Sequence, residues 1–170
     1  SSSSGTTSSF AFTSAPLTLV DTLLVDSLFA SLTSLHIGTL QRALDWSRLL
    51  TAPLPNVQLL TLFVPGDKSI AHSWLVDIFQ ASSGKRWSLP SLQRLHVKCR
   101  EELLDLVPVG RPTVSAERLR KFVAESLWTR WGQSLELTLE GVELTERWSS
   151  PEVVGLKGVV AAVVCQNYPS

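Results

Sequence analysis

The sequence predicts an α/β repeat scaffold, in which short strands with one buried face alternate with helices, and three observations predict it. The stretch Leu92-Gln93-Arg94-Leu95-His96-Val97-Lys98-Cys99 carries apolar residues at Leu92, Leu95, Val97 and Cys99. The last three alternate as a strand buried on one side requires, with Arg94, His96 and Lys98 pointing the other way. The same frame, an apolar residue three before a second one and another two after it, returns at residues 32–37 and 57–62. Weaker copies without the leading apolar residue stand at residues 14–19 and 134–139. Between the copies lie segments of helical periodicity, punctuated by proline, glycine and capping residues.

Taken in order, residues 1–13 begin as serine, threonine and one glycine, a composition that buries too little apolar surface to offset the entropy of ordering, and they read as a flexible lead-in. Residues 14–170 form a single domain, the size expected of a chain of 170 residues that is 44% apolar with six tryptophans. Its first strand falls within residues 10–20, followed by a short cap or turn over 21–31. After the strand at 32–37, Leu40, Ala43, Leu44, Leu49 and Leu50 give a helical stripe that Pro53 and Pro55 stop. After the strand at 57–64, Pro65-Gly66 ends the strand and Asp67 caps a helix with Ile70, Trp74, Leu75, Ile78 and Phe79 on one face, closed by Gly84. Beyond the central strand, residues 101–107 are a turn. Ser115 starts another helix, with Leu119, Phe122, Val123 and Leu127 on its face and Gly132 at its end. Ser150-Pro151-Glu152 is a helix-start signature continued by Val153, Leu156, Val159, Val160 and Val163, and a final strand includes residues 163–165.

At the repeated leucines the chain resembles the leucine-rich repeat, whose consensus opens L-x-x-L-x-L. Aligned on the second leucine, Leu17, Leu35, Leu60, Leu95 and Leu137 are separated by 18, 25, 35 and 42 residues, against about 20–29 in regular families. Such irregular repeats with long helical insertions, and a tail such as Leu156-Lys157-Gly158-Val159-Val160, look like the repeat region of fungal F-box proteins. The resemblance implies an irregular leucine-rich-repeat solenoid with short parallel strands on the inner face and helices outside. It also implies a protein-protein interaction module, the substrate-recruiting part of a ubiquitin ligase receptor, although no F-box is present in the sequence.

Composition narrows the alternatives. The formal charge is zero, but residues 1–84 carry three basic and five acidic side chains, 85–132 ten and five, and 133–170 two and five. A basic middle flanked by acidic segments suits an acidic or mixed-charge protein partner and argues against a nucleic-acid or membrane role. Cys99 and Cys165 have no neighbours at metal-ligand or redox spacing and read as two buried thiols. No signal peptide, long apolar run or N-x-S/T sequon occurs, which points to cytoplasm or nucleus. A start on serine and the absence of methionine read as a trimmed or processed product. The sequence has no G-x-S-x-G elbow, glycine-rich phosphate loop, H-E-x-x-H or G-x-G-x-x-G, and no spacing brings His72 together with a nucleophile and an acid. No enzymatic role, cofactor or metal is expected. The other readings are a structural subunit burying its basic 85–130 region in a larger assembly, and a secreted interaction protein with a Ser/Thr-rich stalk.

If the strands stack as the resemblance implies, the residues after the second leucines form a ladder on the inner face: Thr18, His36, Thr61, His96 and Thr138. Pro16, Ser34, Leu59, Arg94 and Glu136 form one flanking row, and Val20, Gly38, Phe63, Lys98 and Glu140 the other. Exposed Leu59 and Phe63 beside Arg94, His96 and Lys98 offer an aromatic and basic anchor for a partner. The competing expectation is that Arg94 pairs with Glu136 and Lys98 with Glu140 across strands, each exposed pair contributing about 0–1 kcal/mol. His36 and His96 are two strands apart, about 9–10 Å, too far to share a metal with Thr61 between them.

Overall fold

The computed structural model describes residues 9–12, 30–37, 54–64, 86–99, 111–129 and 134–166. Six strands form one parallel sheet: β1 (Ser9–Phe12), β2 (Ser34–Ile37), β3 (Leu59–Val64), β5 (Arg94–Cys99), β8 (Glu136–Glu140) and β10 (Ala162–Gln166). They lie side by side in chain order, with no reversal across the sheet. The fold is α/β with a parallel sheet, as the alternating strand and helix patterns require.

The alternation read from the sequence is the alternation of the sheet. Leu35 and Ile37, Leu60 and Leu62, Leu95 and Val97, and Leu137 and Leu139 occupy matching register positions and are fully buried. Burying each such side chain stabilises the fold by about 1.5–3 kcal/mol relative to exposure. The leading apolar residues Leu32, Val57 and Leu92 are buried too, and so are Leu54 and Leu89 a further three residues upstream.

Two short parallel ladders flank the main sheet. β4 (Trp87–Ser88), before β5, pairs with β7 (Leu127–Trp128), before β8. β6 (Thr113–Val114), after β5, pairs with β9 (Glu143–Leu144), after β8. Gly141, at φ 67°, makes the turn from β8 towards β9, a conformation that favours glycine. Main-chain bonds tie the strands together where they begin: Gln58 N donates to Thr33 O at 2.8 Å, Gln93 N to Gln58 O at 2.9 Å, and Glu136 N to Gln93 O at 2.8 Å. A side-chain bond also recurs: Asn56 Nδ2 donates to Ala30 O, and Ser91 Oγ donates to Pro55 O at 2.6 Å. Asn56 and Ser91 each stand four residues before a second leucine, and each satisfies a carbonyl of the preceding segment.

Two of the helices are described along their length, each lying between two strands in the chain. α1 (Ala116–Lys121) runs into a π-helical turn, Phe122–Ser126. Ser115 precedes it as expected, but its side chain makes no capping bond: Glu146 accepts from Ala116 N and from Ser115 Oγ, both at 2.7 Å. The helix does not run to Gly132. At Leu127 the backbone turns extended, because pairing with Trp87 buries Leu127 against the core. α2 (Pro151–Lys157) starts as the Ser-Pro-Glu signature predicts, with Ser150 Oγ accepting from Val153 N at 3.4 Å. It ends at Gly158, so Val163 belongs to β10 and not to the helix. α1 packs on α2, where Gly155 gives Arg120 room: a Cβ there would stand 3.2 Å from Arg120 Cδ.

The first strand overlaps the start of the 10–20 stretch expected to hold it, but not the repeat copy at 14–19. β1 is Ser9–Phe12, inside the segment read as a lead-in, and it places Phe10 and Phe12 at the register positions of Leu35 and Ile37. The pattern keyed on leucine passed over this aromatic alternation. With Phe10 in that place, the first step becomes 25 residues, equal to the step from Leu35 to Leu60, and the step from Leu137 to Val163 is 26. The expected strand at 14–19, the turn at 21–29, the helices over 40–50 and 67–84, and the turn at 101–107 lie outside the described residues.

Candidate functional site

The parallel register gathers the expected site residues on the face of the sheet opposite the buried rows. Ser34, Leu59, Arg94, Glu136 and Ala162 make one row. Ala11, His36, Thr61, His96, Thr138 and Val164 make the middle row. Phe63, Lys98, Glu140 and Gln166 make the third. The middle row therefore opens on Ala11, where Thr18 was expected. Pro16, Thr18, Val20, Gly38 and His72 lie outside the described residues. β10 adds a strand to the face that leucine spacing did not include, although the alternation around Val163, Val164 and Cys165 carries its signal.

Two features of this face depart from expectation. Thr61 is 2% exposed, and its Oγ1 has no hydrogen-bond partner among the described residues. A short side chain between the imidazoles of His36 and His96 is overtopped by its neighbours, and the Phe63 ring lies 6.2 Å from that of His36, so this stretch of the row presents rings and not a hydroxyl. Leu59 and Phe63 are half-buried rather than standing clear of the surface.

The cross-strand pairing divides between the two expected pairs. Lys98 Nζ is 2.9 Å from Glu140 Oε1, so that pair forms. Arg94 and Glu136 are register neighbours and both exposed, yet among the described residues neither has an ion-pair partner. The face is thus neutralised around Glu140 and carries separated opposite charges around Arg94, beside the apolar Leu59.

Glu140 has a second base. His96 Nε2 lies 2.7 Å from Glu140 Oε2, and the contact becomes a full ion pair only when the imidazole takes up a proton. Burial lowers the His96 pKa from its ordinary value. The Glu140 carboxylate pulls it back up, while Lys98 and His36 push it further down. Burial lowers His36 as well. His36 and His96 are separated by the β3 strand, and among the described residues no group of three His, Cys, Asp or Glu side chains is disposed to hold a metal ion.

Cys99 is buried at an inward position and Cys165 is exposed, so the expectation of two buried thiols fails for Cys165, and neither is in a disulfide. Cys165 occupies an inward register position like that of Leu139, but β10 is the edge of the sheet and no further strand of the described residues covers it. Sequence reasoning also missed an exposed aromatic: Trp148, 48% exposed, carries Lys157 Nζ 5.1 Å from its ring centroid. No helix among the described residues is long and apolar enough to cross a membrane.

Compared with protein-family models, with curated proteins and with solved structures, the chain finds no match.

Proposed function

We propose that this chain is a small, irregular leucine-rich-repeat solenoid whose open sheet face binds another protein, in the manner of the substrate-recruiting repeats of F-box-type ubiquitin ligase receptors. One observation carries the reading: strands in unbroken chain order put a buried row of leucines on one side and His36, Leu59, Phe63, Arg94, His96 and Lys98 together on the other. Supporting it, the two short ladders and the repeated Asn56 and Ser91 bonds follow the main strands as a repeat would. Leu59 and Phe63 supply apolar area, and unpaired Arg94 beside Leu59 selects a carboxylate on the bound segment. Lys98 and Glu140 cancel each other, so they form a rim and contribute little to affinity. A cytoplasmic or nuclear setting belongs to the same proposal.

The test is affinity capture from cells, with bound proteins identified by mass spectrometry, using the chain and its Phe63→Ala/Arg94→Glu double variant. Loss of a reproducible set of proteins from a variant that keeps its fold supports the reading. An unchanged set removes this face as the binding surface, and a ubiquitin ligase scaffold absent from captures with the full reading frame removes the recruitment role.

A further inference from the structure

The row at the start of the strands is the part of the open face whose charges are left unmatched. It runs Ser34, Leu59, Arg94, Glu136, Ala162, one residue from each of five adjacent strands. Arg94 and Glu136 are exposed register neighbours, on strands about 4.8 Å apart, and among the described residues neither has an ion-pair partner. The same two strands do form a pair four residues further on, where Lys98 Nζ is 2.9 Å from Glu140 Oε1. An exposed pair contributes little to stability. Leaving this one open therefore costs the fold little and keeps both charges for another molecule. The segments that lead into the row, residues 30–33, 54–58, 86–93 and 134–135, are themselves described, and Gln58 and Gln93 just before it are exposed.

We infer that this row seats an α-helix of the partner, laid across the strands with an apolar residue over Leu59, an acid over Arg94 and a base over Glu136. The inference rests on the reading of the open face as a protein-binding surface, and it names what that surface selects. Charge complementarity fixes the residue types, because the row presents apolar, basic and acidic side chains in that order. Spacing fixes the conformation. Leu59 and Glu136 are two strand spacings apart, about 9.6 Å. On an α-helix a residue returns to one side every three or four positions, so two returns cover about seven residues, or roughly 10.5 Å at 1.5 Å per residue. In an extended segment same-side residues are two apart, and two such steps cover about 13 Å. The third side chain of an extended segment then overshoots Glu136, whereas that of a helix meets it. Ser34 and Ala162 at the ends of the row are small, so the helix can continue past both.

Selection from a phage-displayed library of helices about five turns long, with randomised outer positions, tests it. The baits are the chain, the charge exchange Arg94→Glu/Glu136→Arg, and the Phe63→Ala/Arg94→Glu variant. The exchange changes exposed positions only and keeps the net charge, so the circular dichroism spectrum stays the same. Clones selected on the chain are expected to carry an apolar residue, an acid and a base at successive intervals of three or four residues, in either chain direction. Their binding falls at least about tenfold on the exchanged variant, where like charges meet. Clones selected on that variant carry the base next to the apolar residue and the acid beyond it. Clones that are lost on Phe63→Ala/Arg94→Glu, yet show no such order or bind the exchanged variant equally well, overturn the inference and leave the face as a binding surface. Clones that bind all three baits alike, or no enrichment above an unrelated protein, overturn both.

Discussion

Glu140 holds its carboxylate between two bases, His96 on one oxygen and Lys98 on the other, in a site where its side chain is 14% exposed. Each neighbour moves the imidazole in a known direction, so paired substitutions separate the effects. Glu140→Gln removes the charge that favours imidazolium and lowers the His96 pKa, whereas Lys98→Met removes a repelling charge and raises it; proton NMR titration of the ring reads both. Equal shifts in one direction would refute the shared-carboxylate geometry. Burial also holds His36 and His96 below the unfolded imidazole value of about 6.5. Between the folded and unfolded values the unfolded chain binds more protons, so their contribution to stability is intact above about pH 6.5 and declines as pH falls through the folded values. Which side chains share this face was legible in the sequence, because strand alternation leaves no choice once the leucines are buried. The burial of Thr61 was not legible, since it depends on the relative heights of the rings at His36, Phe63 and His96 in three adjacent strands.

Glu146 shows why elements were less legible than rows. Burial pushes its pKa up, but the bonds from Ala116 N and Ser115 Oγ outweigh that and hold it below the ordinary carboxylate range. A carboxylate some thirty residues away thus supplies the helix start that Ser115 promised locally. Glu146→Ala strips α1 of that acceptor and costs about 1–2 kcal/mol in urea unfolding. The contribution is present above the unfolded carboxylate pKa of about 4.3 and is lost as pH falls through the lower folded value. No change in stability at neutral pH would show that α1 is held by packing alone. Strands 34–37, 59–64, 94–99 and 136–140 were readable because one-sided burial forces period two. The register of β1 was missed because phenylalanine stands where leucine was sought, and the end of α1 was missed because Leu127 fits a helical stripe equally well until Trp87 pairs with it. A usable signal also lay unread: Leu54-Pro55-Asn56-Val57 and Leu89-Pro90-Ser91-Leu92 repeat the buried leucine and the polar residue that bonds back to the preceding segment.

Across the whole molecule, stability is set by how many strands lie on either side of a given strand. Among the described residues β5 has β3 and β8 as neighbours and contributes completely buried Leu95 and Val97, whereas β10 has β8 alone and leaves its inward positions partly or wholly exposed. In a stack where each segment touches only those beside it, free energy accumulates inward from the ends. Leu95→Ala, which opens a cavity between two strands, costs about 2–5 kcal/mol. Val163→Ala, at a position open on one side, costs less than about 1 kcal/mol. Both are measured by urea unfolding. Hydrogen exchange under the same conditions follows the same order, with β10 amides exchanging through local opening and β5 amides only through global unfolding. Equal costs for the two substitutions, or β10 amides as slow as those of β5, would mean that residues of the same chain close this end of the core.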